Sequence, residues 1–137
     1  MTSGEIKAIL PQPTEESAPF WAGCDRGELL LSHCGECGHR FYYPRRLCPK
    51  CGAGSPKMRP SSGRGTVFSF SDVHLSFYGT AWASQLPYTV ILVDLDEGPR
   101  MLSRLVGEGG VAIGYRVQVC FVEMDGHRLP YFERVPA

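Results

Sequence analysis

Alternation of apolar and polar positions dominates the second half of the chain. Phe68 and Phe70 share one face of an extended segment, while Val73, Leu75 and Phe77 share a face in the opposite phase, so the alternation slips by one residue near Ser71 and Asp72. Side chains of a strand alternate with a period of two, and one inserted residue, a β-bulge, produces such a slip in a long bent strand. Tyr88 to Leu95 forms a mostly apolar second strand, Asp96-Glu97-Gly98-Pro99 has turn chemistry, and Arg100 to Val106 closes a hairpin. Gly107 to Gly110 breaks the pattern. Val117, Val119 and Phe121 then alternate with Arg116, Gln118 and Cys120 in a fourth strand, Asp125-Gly126 signals a hairpin turn, and Leu129 to Val135 is a short fifth strand. Five strands in about 70 residues predict a small Greek-key barrel of the OB type over residues 63–137, since a sandwich usually wants about seven. The alternating aromatics are expected in its core. Leu75 to Leu86, with Phe77, Tyr78 and Trp82, departs from the alternation and reads as a long apolar loop, of the kind that buries against a partner or a ligand.

Two shorter regions precede the barrel. Residues 1–23 form an arm in which only Gly4 to Leu10 has a helical pattern, and which closes on Pro19, Phe20 and Trp21, apolar enough to dock on its own domain. In residues 24–62, Leu29 to Leu31 is a short strand leading into Cys34, and Arg40 to Tyr43 is a second leaving Cys37. Ser55, Pro56, Pro60, Ser61, Ser62 and Gly63 then have linker chemistry. The fold class expected is mainly β: an arm with a short helix, a small metal-bound ribbon and a five-stranded barrel.

The strongest chemical signal lies in that middle region. Cys34-Gly-Glu-Cys37-Gly38 and Cys48-Pro-Lys-Cys51-Gly52 are two copies of one knuckle. A two-residue spacer lets both sulfurs face one point, and a Gly after the second Cys takes the positive φ that turns backbone N–H groups toward the thiolates. Four thiolates complete a tetrahedral sphere for which Zn²⁺ is the expected metal, although iron accepts the same spacing. A closed Cys₄ sphere leaves no position for water, so the metal is expected to be structural and to supply folding energy to a segment with little apolar core. Cys24 lacks a partner two residues away and Cys120 sits in an alternating strand; both read as buried, inert thiols. His33, His39, His74 and His127 are scattered, no Ser occupies a glycine-flanked nucleophile elbow, and Asp94 and Asp96 fit a turn better than a paired acid and base. No catalytic residue is expected.

Composition alters this picture in one respect. The 137 residues carry 14 Lys+Arg against 14 Asp+Glu, which excludes a general polycation. Resolved by segment, residues 24–66 carry a net +5 while the barrel and arm are acidic. A local contact with phosphates, of a nucleic-acid backbone or of coenzyme A, is therefore compatible with overall neutrality. No stretch of about 18 apolar residues is present to span a membrane. The first ten residues lack the apolar core of a secretory leader, so the expected location is the cytoplasm, where close cysteine pairs are more often metal ligands than disulfides.

Taken together, Phe20-Trp21, Gly27-Glu28-Leu29, the two knuckles with Tyr43-Pro44-Arg45 between them, Ser62-Gly63-Arg64-Gly65-Thr66-Val67, Leu95-Asp96-Glu97-Gly98, Gly114 with Val117, and Leu129-Pro130 resemble a known family. It is the acyl-CoA-associated family catalogued as domain of unknown function 35, in which a rubredoxin-like zinc ribbon precedes an OB-fold. The resemblance implies a non-catalytic subunit assembling with thiolase-fold enzymes, among them thiolases, acyltransferases and lipid-transfer-type aldolases of steroid side-chain degradation, and with hot-dog-fold hydratases. It makes Cys34, Cys37, Cys48 and Cys51 metal ligands, and Arg45 and Arg46 candidates for coenzyme A or partner contact. Lys50, Phe77, Tyr78 and Trp82 join these as candidate contact residues. The alternative, motivated by the basic segment and the barrel, is a module binding single-stranded nucleic acid.

Overall fold

The computed structural model describes residues 10–76 and 83–136. The first element among the described residues is a helix, α1 (Ala18–Asp25), in a stretch whose prolines read as a non-helical arm. Pro19 lies in its first turn, where the missing N–H has no intrahelical acceptor to lose and the fixed φ suits a helix. Thr14 and Ser17 bond to one another ahead of it, the Thr14 amide donating to Ser17 Oγ at 2.8 Å. Phe20, Gly23 and Cys24 are the buried side of α1. A side chain on Gly23 would meet Leu30 Cδ1 at 2.8 Å, so this glycine sets how closely helix and ribbon pack. Apart from Leu10, the stretch Gly4 to Leu10 lies outside the described residues.

Three short strands, β1 (Leu30–His33), β2 (Arg40–Phe41) and β3 (Lys57–Pro60), make an antiparallel sheet in the order β2-β1-β3. β3 corrects the linker reading of that segment: four residues poor in apolar character pair along β1, from Leu30 opposite Pro60 to His33 opposite Lys57. The prolines mislead because Pro60 ends the strand, a position where its missing donor costs little.

Residues from Arg64 onward form the expected five strands: β4 (Arg64–Val73), β5 (Tyr88–Leu95), β6 (Arg100–Val106), β7 (Arg116–Met124) and β8 (His127–Arg134). They close into a barrel in the order β4-β5-β6-β8-β7, with β6 and β8 parallel and β4 pairing back onto β7. Closure removes the exposed edges an open sheet would present. Asp125 and Gly126 both have positive φ, 50° and 83°, as a tight two-residue hairpin requires.

The bulge in β4 falls earlier than the pattern indicated. Val67 pairs with Val93 and Ser69 with Leu92, so Phe68 is the extra residue. Phe68 and Phe70 are consequently 45% and 39% exposed instead of core. Their apolar character mimicked an inward phase that Gly65 and Val67 occupy. The Arg100 guanidinium covers the Phe68 ring at 3.4 Å from its centroid. Barrel residues Val67, Ile91, Val93, Leu95, Met101, Val117 and Phe132 form one core with Phe20, Cys24, Leu29 and Leu31 from the helix and ribbon.

The turn between β5 and β6 joins the two halves. Asp96 accepts both guanidinium nitrogens of Arg116 at 2.7 and 2.8 Å, and its amide donates to the Arg64 carbonyl at 3.0 Å. Glu97 accepts the Ser61 hydroxyl and the Ser62 amide, each at 2.8 Å. Partial burial works against the Glu97 charge, but the Ser62 amide and Ser61 hydroxyl outweigh it and hold the carboxyl below its ordinary range. Glu97→Ala should therefore lower stability by about 1–2 kcal/mol, as for other charge-assisted hydrogen bonds at partly exposed sites. Because the folded pKa is depressed, the contribution of Glu97 is complete above the ordinary carboxylate pKa and is lost as the pH falls through the folded value. Urea titrations at neutral and acidic pH check this: the difference between wild type and variant should shrink on acidification.

Candidate metal centre

Each knuckle is built the same way from the backbone up. The Cys34 carbonyl accepts the Gly38 amide at 3.0 Å and the Cys34 amide donates to the His39 carbonyl at 2.9 Å; Cys48 repeats the pattern with Gly52 at 2.9 Å and Ala53 at 2.8 Å. Both glycines have the expected positive φ, 75° and 79°. The amides thus turned inward meet sulfur: Cys37 N–H lies 3.5 Å from Cys34 Sγ and Lys50 N–H 3.4 Å from Cys48 Sγ. The Cys37 amide, then that of Glu36, brings the Cys34 thiol down to about 6. At Cys48 burial opposes ionisation, but the amides of Cys51 and Lys50 prevail and the thiol is lowered. The backbone amides thus favour the thiolate form at Cys34 and Cys48.

All four sulfurs lie within 4.8 Å of one another, with Cys34 to Cys51 at 3.6 Å and Cys37 to Cys48 at 3.7 Å. A metal bonded at about 2.3 Å to four sulfurs at tetrahedral corners implies edges of about 3.8 Å, so these residues fit such an ion closely. An ion bonded to all four sulfurs would have its tetrahedral sphere filled by protein ligands.

The remaining cysteines are chemically quiet. Cys24 is fully buried, and burial followed by the neighbouring Asp25 charge pushes its thiol up to about 12. Cys120 is raised to about 11, again by burial, then by Glu133. Neither has the depressed pKa that a nucleophile needs. His39 stacks on Phe41 with ring centroids 5.8 Å apart, and neither it nor His33 belongs to the sulfur cluster.

Of the other singled-out residues, Arg45 lines a cleft with Tyr43, Pro49, Pro99 and Arg100, where ribbon and barrel meet. Tyr43 is 66% exposed there. Arg46 turns instead to the arm, donating to Glu16 at 2.6 Å and Glu15 at 3.1 Å, so its charge is already matched. Lys50 is exposed. Phe77, Tyr78 and Trp82 lie outside the described residues. Glu97, which binds the segment leading from the ribbon, has only a turn signature in the sequence; its partners at Ser61 and Ser62 are too distant in sequence for any local pattern to reveal.

The same two-part organisation occurs in known proteins. A family model described as "ChsH2, rubredoxin-like zinc ribbon domain" matches residues 21–57, and one described as "ChsH2, C-terminal OB-fold domain" matches residues 58–122. A DUF35 domain-containing scaffold protein of Methanocaldococcus jannaschii is 31% identical over 103 residues, covering 72% of each chain. The chain belongs to the DUF35 family. This DUF35 chain is also 32% identical over 100 residues to the benzoylsuccinyl-CoA thiolase subunit BbsA of Geobacter metallireducens, covering 73% of the present chain and 60% of the relative. A probable enoyl-CoA hydratase alpha subunit of Thermomonospora curvata is 29% identical over 136 residues, which span 96% of the DUF35 chain but only 42% of that longer protein. Among solved structures, a chain of the "Ltp2-ChsH2(DUF35) aldolase" superposes with a TM-score of 0.81 at 28% identity, covering 91% of this chain and 98% of that one. Among the described residues no helix is long and apolar enough to cross a membrane.

The purified DUF35 chain should carry one metal ion, measured by elemental analysis, and Cys34→Ser or Cys48→Ser should abolish stable loading. Chelation should release amide protection in residues 34–55 first, followed by hydrogen exchange, because the barrel strands keep their own hydrogen-bonded core.

Proposed function

We propose that the chain is a non-catalytic accessory subunit that assembles with a thiolase-like acyl-CoA enzyme, a thiolase, an acyltransferase or a lipid-transfer-type aldolase. It stabilises that enzyme and helps to form its acyl-CoA site, while catalysis stays in the partner. The observation that carries this reading is the near full-length match to the DUF35 chain of the Ltp2-ChsH2 aldolase, joined to a metal centre with no open coordination position. The thiolase subunit name of the BbsA relative supports the same partner class. Zn²⁺ is the metal in this reading, since a closed tetrathiolate needs no redox change. Arg45, Lys50 and the exposed Tyr43 are its nearest candidates for contact with the partner or with coenzyme A, along with Phe77, Tyr78 and Trp82; Arg46 serves the arm. The site of action is the cytoplasm.

A hot-dog-fold hydratase is a second candidate partner, favoured by the hydratase alpha subunit to which almost the whole chain aligns. The two are separated by co-expression. With a thiolase-like enzyme from the same genome, the chain should elute as a single complex in gel filtration at micromolar concentration, and the partner should lose activity or solubility when produced alone. Two separate peaks would overturn the proposal for that enzyme, and a complex formed only with a hydratase would transfer it.

A further inference from the structure

The register of the ribbon sheet brings together cations that are far apart in sequence. His33 of β1 lies opposite Arg40 of β2 on one side and Lys57 of β3 on the other, and Leu31 lies opposite Arg59. Directly opposed residues share a face, so Arg40, His33, Lys57 and Arg59 stand on one side of the sheet. Neighbouring strands are about 4.8 Å apart, which spreads the row over about 10 Å. Arg40, Lys57 and Arg59 are exposed.

Unlike several other arginines of the molecule, these cations have no carboxylate partner. Arg26, Arg46, Arg100 and Arg116 each form an ion pair. Among the described residues none is recorded for Lys57 or Arg59, and Arg40 reaches only the Glu97 carbonyl oxygen at 3.4 Å. Like charges grouped on one face of a three-stranded sheet cost stability, and no carboxylate of the sheet offsets them. The row borders the barrel: His33, Arg40 and Arg59 line, with Leu31, Pro60 and Glu97, a cleft of about 250 Å³, and Lys57 stands outside it.

We propose that this face of the ribbon is a docking surface for an acidic patch on the partner enzyme. The proposal rests on the accessory-subunit reading and adds to it the place and chemistry of contact. Charge complementarity selects the occupant. An extended polyanion following the row would meet Glu97 in the cleft and the net-negative barrel beyond, whereas a compact cluster of carboxylates needs only the width of the row.

The test compares the full metal-loaded chain with Lys57→Glu/Arg59→Glu and Lys57→Arg/Arg59→Lys variants, each titrated against the thiolase-like enzyme that forms the complex. Charge reversal should weaken association about tenfold or more, the charge-conserving variant should bind like wild type, and wild-type affinity should fall as salt is raised. Metal content and thermal midpoint of the free chain should be unchanged; if the reversed variant fails to fold, Lys57→Gln/Arg59→Gln replaces it, with a smaller loss expected. A wild-type complex that all variants form equally well would overturn the docking face and leave the accessory-subunit reading intact, while no wild-type complex would end both. Loss of metal with unchanged partner affinity would assign the row to balancing the tetrathiolate. Salt-sensitive binding of an oligo-dT that the reversed variant loses, with partner affinity unaffected, would reassign it to nucleic acid; either result overturns the proposal.

Discussion

Four sulfurs converging on one point hold together the part of this protein that has the least apolar core of its own. Between Cys34 and Ser55 the backbone is tied by the two knuckles, by the two-residue pairing of β2 with β1 and by the bridge between Leu47 and Gly54; Phe41 is buried, while Tyr43 and Leu47 face outward. A strand pair of two residues cannot organise such a stretch by burial. Amide hydrogens aimed at the thiolates define the site locally, and a cation bonded to all four closes it. The base of the ribbon is held differently, by Leu29 and Leu31 inserted into the same core as Val67, Val93 and Phe132. The ribbon thus has its sulfur cluster at the tip and a hydrophobic anchor at its root.

Between these two regimes stands the turn after β5, where two adjacent carboxylates have separate jobs. Asp96 binds Arg116 and thereby joins the turn to the strand that closes the barrel; Glu97 faces the other way, toward Ser61 and Ser62. The turn therefore belongs to both halves, and neither carboxylate is free to serve as an acid or a base.

What the sequence makes legible follows the range of the interaction. The cysteine knuckles are readable because both ligands of a pair lie within four residues, and the barrel strands because period-two alternation is local; β5, β6 and the Asp125-Gly126 turn sit where the pattern places them. Misreadings arise where a local signal has two meanings. Pro19 looks like a breaker but occupies the first turn of α1, and Phe68 and Phe70 look like core but face outward once the bulge lies at Phe68. β3 has hardly any pattern, since its residues are chosen by pairing with β1, a partner more than twenty residues away. The cationic row is invisible for the same reason: it exists only in the register of three strands.

The segment from Ser61 to Arg64 has the composition of a flexible connector, and its hydrogen bonds make it otherwise. Ser61 and Ser62 are bound by Glu97, the Ser61 amide donates to the Leu29 carbonyl at 2.7 Å, and the Gly63 carbonyl accepts the Val119 amide at 2.7 Å. A side chain at Gly63 would run into Val119, so the crossing leaves no room to swing. Ribbon and barrel thus arrive at any larger assembly with their mutual angle already set. The conformational entropy of orienting one against the other is spent during folding, so none of it is charged to association, and contacts made by either half position the other.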